Sequence, residues 1–345
     1  MFLSFLYPSD TLRAEFFLGY MMNTRQYGVI GIIVFAILFA VFSYYYRSQK
    51  VLLSGKEKKI AILKTASHPA LDQAERGFLD VIEKQFGTSV ICDVKNADGS
   101  IVAMNTIADA FVHDESVALF YSIATPALQA LAQKERIRPI IFAAVTDPRI
   151  LAIDSDRNVC GVTDAIDVKR QMMSIAQFVK DIKSIAVLYN TAELNSIHVV
   201  RQIKKEAQRL GILVYEVGVL QPSDIVSALE QYVGNVDAIV TPTDNLVATS
   251  ISFIASFCNQ HRIPLIVSDN LLLQYGVLAS FGIDYYQAGI RAGECAVSIL
   301  KDEQTPDQIG FEVLPQDVLL VNKVVYEQLK DKLLFDESSM KFWSK

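Results

Sequence analysis

Six short apolar runs of this chain each stop at hydroxyl, amide or carboxylate side chains, the groups that could hold a small polar ligand. Those polar stops are Ser122 with Thr125, Thr146 with Asp147, Asn190 with Asn195 and Ser196, Thr241 through Asn245, Ser268 through Asn270, and Asp284. Runs this short and this apolar are typical of strands that are buried on both faces of a parallel sheet. Ligands of open α/β sheets bind at the carboxyl ends of the strands. A single such residue could equally cap the next helix, but six sites together favour a binding cleft.

Catalytic chemistry has little support in the sequence. It contains no Gly-x-Ser-x-Gly, no phosphate-binding Walker loop, no His-Glu-x-x-His and no Gly-x-Gly-x-x-Gly after a predicted strand. The four histidines are scattered, and no nucleophile is paired with a base. We therefore expect a binding protein and not an enzyme, with no cofactor and no metal.

Length and charge limit the class of protein. The chain has 345 residues, of which 51% are hydrophobic and 20% charged, with a formal net charge of −6. This length favours two domains. The acidic balance and the lack of a long Lys/Arg run argue against nucleic acid as a partner.

The four cysteines are Cys92, Cys160, Cys258 and Cys295, and their spacing does not match a metal site. Three of them lie in or beside apolar or helical patterns, which favours free, buried thiols. A disulfide stays open as an alternative in an oxidising compartment.

A membrane segment is predicted near the N-terminus. Residues 27–46 carry no charged side chain and are long enough to span a bilayer as a helix. A cleaved signal peptide is the alternative, although its apolar region is usually shorter. Residues 1–26 then form an N-terminal segment and residues 47–57 a linker. Five basic residues between 47 and 59 conflict with placing the following part of the chain outside, according to the positive-inside rule.

The elements that must position these polar residues alternate as strand and helix. One βα series runs from Lys59 to the strand at 140–145, and a second begins after the polar loop at 154–164. Two such series predict an α/β protein with two doubly wound parallel-sheet lobes and a cleft between them. Residues 332–345 are predicted to be a loosely ordered tail.

From about Lys58 to Leu329 the chain resembles bacterial ABC-transporter substrate-binding proteins related to the tryptophan- and tyrosine-binding lipoproteins. The resemblance is carried by the following segments: His68-Pro69-Ala70-Leu71-Asp72, Ile123-Ala124-Thr125-Pro126-Ala127, Phe142 through Pro148, Asn158 through Asp164, Thr243-Asp244-Asn245 and Gly282 through Tyr286. Each segment alone is weak, and their order and spacing make the match specific. Many members have a lipidated cysteine or a cleavable signal, and this chain shows neither clearly.

The resemblance implies a type I periplasmic-binding-protein fold, in which the chain crosses between the lobes three times. We place the crossings near 162, 284 and 306. Lobe 1 then comprises residues 58–162 and 285–305, and lobe 2 comprises 163–284 and 306–331. Ligand binding would close the lobes by a hinge motion.

The resemblance also implies an amino acid as ligand, which needs two opposite kinds of recognition. Hydroxyl and amide groups near helix N-termini suit its carboxylate; the candidates are Ser122, Thr125, Asn195 and Ser196. Carboxylates suit its ammonium; the candidates are Asp147, Asp244 and Asp284. His68 could line the cleft, and Tyr189 could stack on an aromatic side chain. Helix capping, turn formation or core packing is the alternative role for each.

The predicted function is that of an extracytoplasmic, membrane-anchored solute-binding protein. It would capture a small molecule, most simply an amino acid, and deliver it to separate ABC permease and ATPase subunits. The alternative is a membrane-anchored ligand-sensing module without a transport role.

Overall fold

The structure is a computed structural model that describes residues 58–153, 158–315, 318–336 and 338–343. The predicted N-terminal segment, membrane helix and linker, residues 1–57, lie outside the described residues. Among the residues that are described, no helix is long and apolar enough to cross a membrane.

The first sheet contains six parallel strands in the order β11-β5-β4-β3-β1-β2. The strands are β1 (Lys58–Lys64), β2 (Val90–Asn96), β3 (Val117–Ile123), β4 (Ile140–Val145), β5 (Val159–Thr163) and β11 (Phe311–Val313). Its helices are α1 (Pro69–Phe86), α2 (Ile101–His113), α3 (Thr125–Lys134), α9 (Tyr285–Leu300) and α10 (Pro306–Ile309). This sheet and its helices are the first lobe.

The second sheet contains seven strands in the order β13-β12-β10-β9-β8-β6-β7. All neighbouring strands are parallel except β10 and β12, which are antiparallel to each other. The strands are β6 (Ser184–Asn190), β7 (Leu213–Val219), β8 (Ala238–Val240), β9 (Leu265–Val267), β10 (Ala279–Ser280), β12 (Leu319–Val321) and β13 (Met340–Phe342). Its helices are α4 (Val168–Phe178), α5 (Leu194–Arg209), α6 (Ile225–Glu230), α7 (Asn245–Thr249), α8 (Ile251–Gln260) and α11 (Lys323–Leu329). This sheet and its helices are the second lobe.

Each sheet has an apolar core on both faces, which explains why its strands are continuous apolar runs. Every residue of β4, for example, is buried, and residues 140–143 of that strand enter the two cores of the first lobe alternately. The predicted α/β class with two doubly wound, mainly parallel sheets is therefore confirmed.

The chain crosses between the lobes in three places. Two lie near the predicted positions, between β5 and α4 and between β10 and α9. The predicted third crossing near 306 is wrong. Strand β11 still pairs with β5 of the first lobe, with Phe311 opposite Gly161, and the chain crosses only after Val313. Phe311 holds this segment by packing edge-on against Phe142, with ring centroids 5.4 Å apart.

The predicted loosely ordered tail is also corrected. Residues Met340–Phe342 form β13, which pairs with β12 at the edge of the second sheet. Apolar side chains secure the strand: Met340 is buried, and the Phe342 ring stacks on Phe335 with centroids 4.3 Å apart.

Helices α1 and α9 of the first lobe approach closely at Gly77 and Gly289. A Cβ atom on Gly77 would lie 2.2 Å from the Tyr286 carbonyl oxygen, and one on Gly289 would lie 2.2 Å from that of Ala74. Only glycine permits this approach, and it fixes α9, whose first residues border the cleft.

Candidate functional site

A cavity of about 30 Å³ lies between the lobes, at the carboxyl ends of the strands in both sheets. Its volume suffices for roughly two water molecules. Residues after β1, β3, β4 and β5 line it from the first lobe, and residues after β6, β8 and β9 line it from the second. The lobes are therefore closed on one another around the place where ligands of such sheets bind.

Three buried carboxylates line this cavity, and two of them, Asp164 and Asp269, have an oxygen without a hydrogen-bond partner among the described residues. Asp164 follows β5 and is 4% exposed, and Asp269 follows β9 and is 6% exposed. Asp164 Oδ2 accepts a hydrogen bond of 3.0 Å from the Tyr285 hydroxyl, and Asp269 Oδ1 accepts one of 2.9 Å from the Leu271 N–H. The other oxygen of each carboxylate is buried and has no hydrogen-bond partner among the described residues. Each of these two carboxylates at the cavity thus has one oxygen that accepts no hydrogen bond from the described residues.

The electrostatics of this pair favour a cation. Burial raises the pKa of Asp269 to about 7, and the nearby Asp164 carboxylate adds to that shift. Burial also raises the pKa of Asp164, which the neighbouring Thr146 and Tyr285 hydroxyls partly oppose. Since the unpaired charges are costly to bury, a positively charged group between them would lower the free energy of both.

Two hydrogen bonds join the lobes across the cavity. His68 Nε2 lies 3.2 Å from Asn245 Oδ1, and the Thr146 and Thr243 hydroxyls lie 3.1 Å apart. Each contact joins a residue of the first lobe to a residue of the second. Both contacts therefore belong to the closed arrangement and must break when the lobes separate.

A cluster of amides supports the His68 contact from the second lobe. Glu193 Oε2 accepts hydrogen bonds from Asn245 Nδ2 at 2.6 Å and from Asn195 Nδ2 at 3.4 Å. Glu193 Oε1 accepts one of 3.2 Å from Asn190 Nδ2. Burial raises the pKa of Glu193, and the Asp244 carboxylate raises it further. Glu193 therefore orients these amide side chains, and both of its carboxylate oxygens are occupied by the hydrogen bonds that do so.

Four of the nine residues predicted from the sequence line the cavity: His68, Thr125, Asn195 and Asp244. The Thr125 hydroxyl and Asn195 Oδ1 are buried, and neither has a hydrogen-bond partner within the described part of the chain. Asp244 differs, because its oxygens already accept from the N–H groups of Asn190 and Val247 and from the Ser196 hydroxyl. Asp244 is thus committed to capping α7 and joining it to β6 and α5.

The other five predicted residues do not line the cavity. Ser122 is buried in β3 and donates to the Ile141 carbonyl, and Ser196 donates to Asp244. Asp147 caps a short 3₁₀ helix and pairs with Arg149, with Oδ1 2.8 Å from Arg149 Nε.

Asp284 and Tyr189 are the remaining two. Asp284 caps α9 and borders a separate open groove. The Tyr189 hydroxyl donates to Glu216 at 3.1 Å, and its ring packs in the core of the second lobe.

Three carboxylates were missed as candidates: Asp164, Asp269 and Glu193. Asp269 carries the same signal as the predicted residues, since it belongs to the polar stop Ser268 through Asn270, whereas Asp164 is the last residue of the polar loop at 154–164. Glu193 lies two residues before Asn195 in the loop after β6 and has no such signal.

Comparisons with known proteins show the family of the chain. Residues 59–338 match a family model described as ABC transporter substrate binding protein. The chain belongs to this family. As a substrate-binding protein of an ABC transporter, it binds a small molecule and works with the permease and ATPase subunits of its transporter. The family is one of binding proteins, and its description names no enzymatic activity.

The chain is similar to several known proteins. The chain is 32% identical over 278 residues to a tyrosine-binding protein of Clostridioides difficile, covering 78% of this chain and 80% of the relative. A conserved domain protein of Vibrio cholerae is 30% identical with a TM-score of 0.78, over 83% of this chain and 99% of that structure. An ABC domain of Streptococcus pneumoniae in complex with L-Trp is 29% identical with a TM-score of 0.77, over 82% and 97%.

The architecture also resembles that of type I periplasmic binding proteins, at 15% and 18% identity, where the likeness shows the fold alone.

Proposed function

We propose that the substrate-binding protein captures an amino acid and holds its α-ammonium between Asp164 and Asp269. The observation that carries this proposal is the pair of buried carboxylates, each with one oxygen that lacks a hydrogen-bond partner among the described residues. An ammonium carries three donors and a positive charge, so it can donate to both of these oxygens and neutralise their charge. The tyrosine- and tryptophan-binding relatives support an amino acid as the class of ligand.

The ligand carboxylate is assigned to the N-terminal end of α3. The Thr125 hydroxyl there is 2% exposed and has no partner in the described residues, and Thr125 is the first residue of the ten-residue helix. Anions are stabilised at such helix ends. Ala124, which directly precedes the helix, has a positive φ of +79°.

Entry of an amino acid requires the lobes to separate. The closed cavity of about 30 Å³ is too small for an amino acid with a large side chain. Opening would break the His68–Asn245 and Thr146–Thr243 contacts and bend the three crossings between the lobes. Closure around the ligand would then exclude water from the carboxylate pair.

The protein would work at the extracytoplasmic face of a bacterial membrane, anchored by residues 27–46. The uncharged apolar sequence of that segment supports this part of the proposal. After alkaline extraction of cells that express the full chain, the protein should stay with the membrane pellet. Release into the soluble fraction would contradict the anchor.

The proposal is tested with the full-length protein in mild detergent by thermal shift against the twenty L-amino acids, simple sugars and nucleosides. A ligand at 100 times its Kd adds about 2.7 kcal/mol to the free energy of unfolding, a shift that is easily measured. At least one amino acid is expected to raise the Tm. A shift only with sugars or nucleosides would contradict the proposal.

Binding is expected to tighten as the pH rises. Burial raises the folded-state pKa of Asp269 to about 7, so at lower pH the carboxyl must lose its proton before it can pair with an ammonium. We expect the Kd measured by calorimetry to be about tenfold or more weaker at pH 5.5 than at pH 7.5. His68 does not titrate in this window, because burial lowers its pKa to about 4.

The control for this pH dependence is Asp269→Asn, which leaves the raised pKa of Glu193 in place. The pH dependence of the Kd should be lost in that variant. If it persists unchanged, Asp269 is not the titrating group, and the assignment of the ammonium to Asp269 is wrong.

A further inference from the structure

His68 presents an unsatisfied hydrogen-bonding atom at the cavity. The imidazole is 7% exposed and lines the cavity, and its Nδ1 is buried without a hydrogen-bond partner in the part of the chain that the structure describes. Its place directly before α1 would allow Nδ1 to cap that helix, but the side chain makes no capping hydrogen bond. A buried polar atom of this kind is costly unless a ligand group satisfies it.

The hydrogen-bond network determines which kind of group can do so. Asn245 Nδ2 lies 2.6 Å from Glu193 Oε2, so it is the amide nitrogen that faces the carboxylate. Asn245 Oδ1 therefore faces His68 Nε2 at 3.2 Å, and Nε2 must carry the proton in order to donate. In a neutral imidazole Nδ1 is then bare and can only accept a hydrogen bond. The burial of the ring keeps it neutral.

The distance between His68 and the carboxylates determines which part of the ligand can contact His68. His68 follows β1, whereas Asp164 follows β5, and β3 and β4 lie between these strands in the sheet. Three strand spacings separate the two ends, which is about 14 Å between strand axes. Leu71, Val247 and Leu272 give the cavity an apolar lining. A ligand whose ammonium is held at Asp164 can reach His68 with a long, largely apolar side chain.

We propose that His68 is a specificity-determining residue whose Nδ1 accepts a hydrogen bond from the ligand side chain, so that the site selects a long side chain ending in a donor. A phenol hydroxyl and an indole N–H both have this chemistry. Glu193 and Asn245 act as positioning residues that fix the imidazole tautomer. This inference rests on the proposed function, since it assumes that the ligand is an amino acid.

The test is calorimetric titration of the full-length protein with L-tyrosine, L-tryptophan, L-phenylalanine and O-methyl-L-tyrosine. The better of the two donor-bearing ligands should bind about 10- to 100-fold more tightly than phenylalanine and O-methyltyrosine, because those two leave Nδ1 unsatisfied. Comparing tyrosine with tryptophan identifies which donor the site accepts. Equal binding of phenylalanine and the better donor-bearing ligand would overturn the inference while leaving the amino-acid proposal intact. No binding of any amino acid, including the rest of the twenty, would overturn both.

The matching variant is His68→Leu, which removes the acceptor and keeps an apolar side chain of similar length. The preference for the donor-bearing ligand over phenylalanine should fall to within about twofold of unity. His113→Leu is the control, because His113 is exposed at the end of α2, and it should keep the full preference. A His68→Leu protein that retains the preference would contradict the role of His68. The wild-type comparison alone decides the donor requirement if this variant fails to fold.

Discussion

Replacing Asp269 by asparagine is expected to weaken amino-acid binding by at least about 100-fold, and Asp164→Asn should have an effect of similar size. Removing one partner of a buried, hydrogen-bonded ion pair costs about 3–5 kcal/mol. Both carboxylates are nearly fully buried in the same cavity, so solvent cannot replace the lost charge. Calorimetric titration with the amino acid found in the ligand screen measures the effect.

The same two variants should not destabilise the ligand-free protein. Burial raises the pKa of both carboxyl groups, which means that the closed cavity disfavours their charges. We expect the Tm without ligand to be unchanged or higher, while the ligand-induced shift disappears. A loss of binding that is accompanied by a large fall in Tm would instead indicate that the carboxylates hold the fold together.

Asp147→Asn and Asp284→Asn are matched controls for these variants. Both residues follow strands and cap helices, as Asp269 does, but they lie outside the cavity. Their Kd values should stay within about threefold of wild type. A loss of binding in either control as large as that of Asp269→Asn would contradict the assignment of the ammonium site.

Substitution of Gly289 by valine is expected to produce the largest loss of stability, at least about 3 kcal/mol, because overpacking here meets backbone atoms that cannot move alone. A Cβ atom at this position would lie 2.2 Å from the Ala74 carbonyl oxygen and 3.0 Å from the Phe78 nitrogen. Helices α1 and α9 would have to separate, which opens the core of the first lobe. Urea unfolding gives the free energy of unfolding directly.

Glu294→Val is the control on the same helix. Glu294 is exposed and pairs with Arg291 on the surface, so this change places the same β-branched side chain on α9 without the contact with α1. It should lower the free energy of unfolding by less than about 1 kcal/mol. Equal effects of the two variants would show that the presence of valine in α9, and not the close approach of α1, explains the loss of stability in Gly289→Val.

The sheets were predictable because their strands are buried on both faces and therefore appear as short apolar runs. The run that forms β4 is one example. The alternation of such runs with helical patterns predicted the two doubly wound series. Strands that only complete an edge were harder to place. β11 and β13 have three residues each, and their membership of a sheet depends on contacts such as Phe311 with Phe142 that are distant in sequence.

The site was predictable in location but only partly in its residues. The rule that ligands bind at strand ends led to His68, Thr125 and Asn195, whose side chains line the cavity. It could not separate Asp244 and Asp147 from Asp269, since all three follow apolar runs, and it did not lead to Asp164, which ends a polar loop. The difference is whether both carboxylate oxygens already have partners, and that depends on side-chain directions and on residues from other elements.

The most direct measurement compares an amino-acid ligand with its desamino analogue, which keeps the carboxylate and the side chain but lacks the ammonium. Wild-type protein should bind the analogue at least about 100-fold more weakly, since both buried carboxylates would then face an uncharged group. In Asp269→Asn the two compounds should bind with much more similar affinity. Equal affinity of the wild-type protein for the amino acid and its desamino analogue would contradict an ammonium site between Asp164 and Asp269.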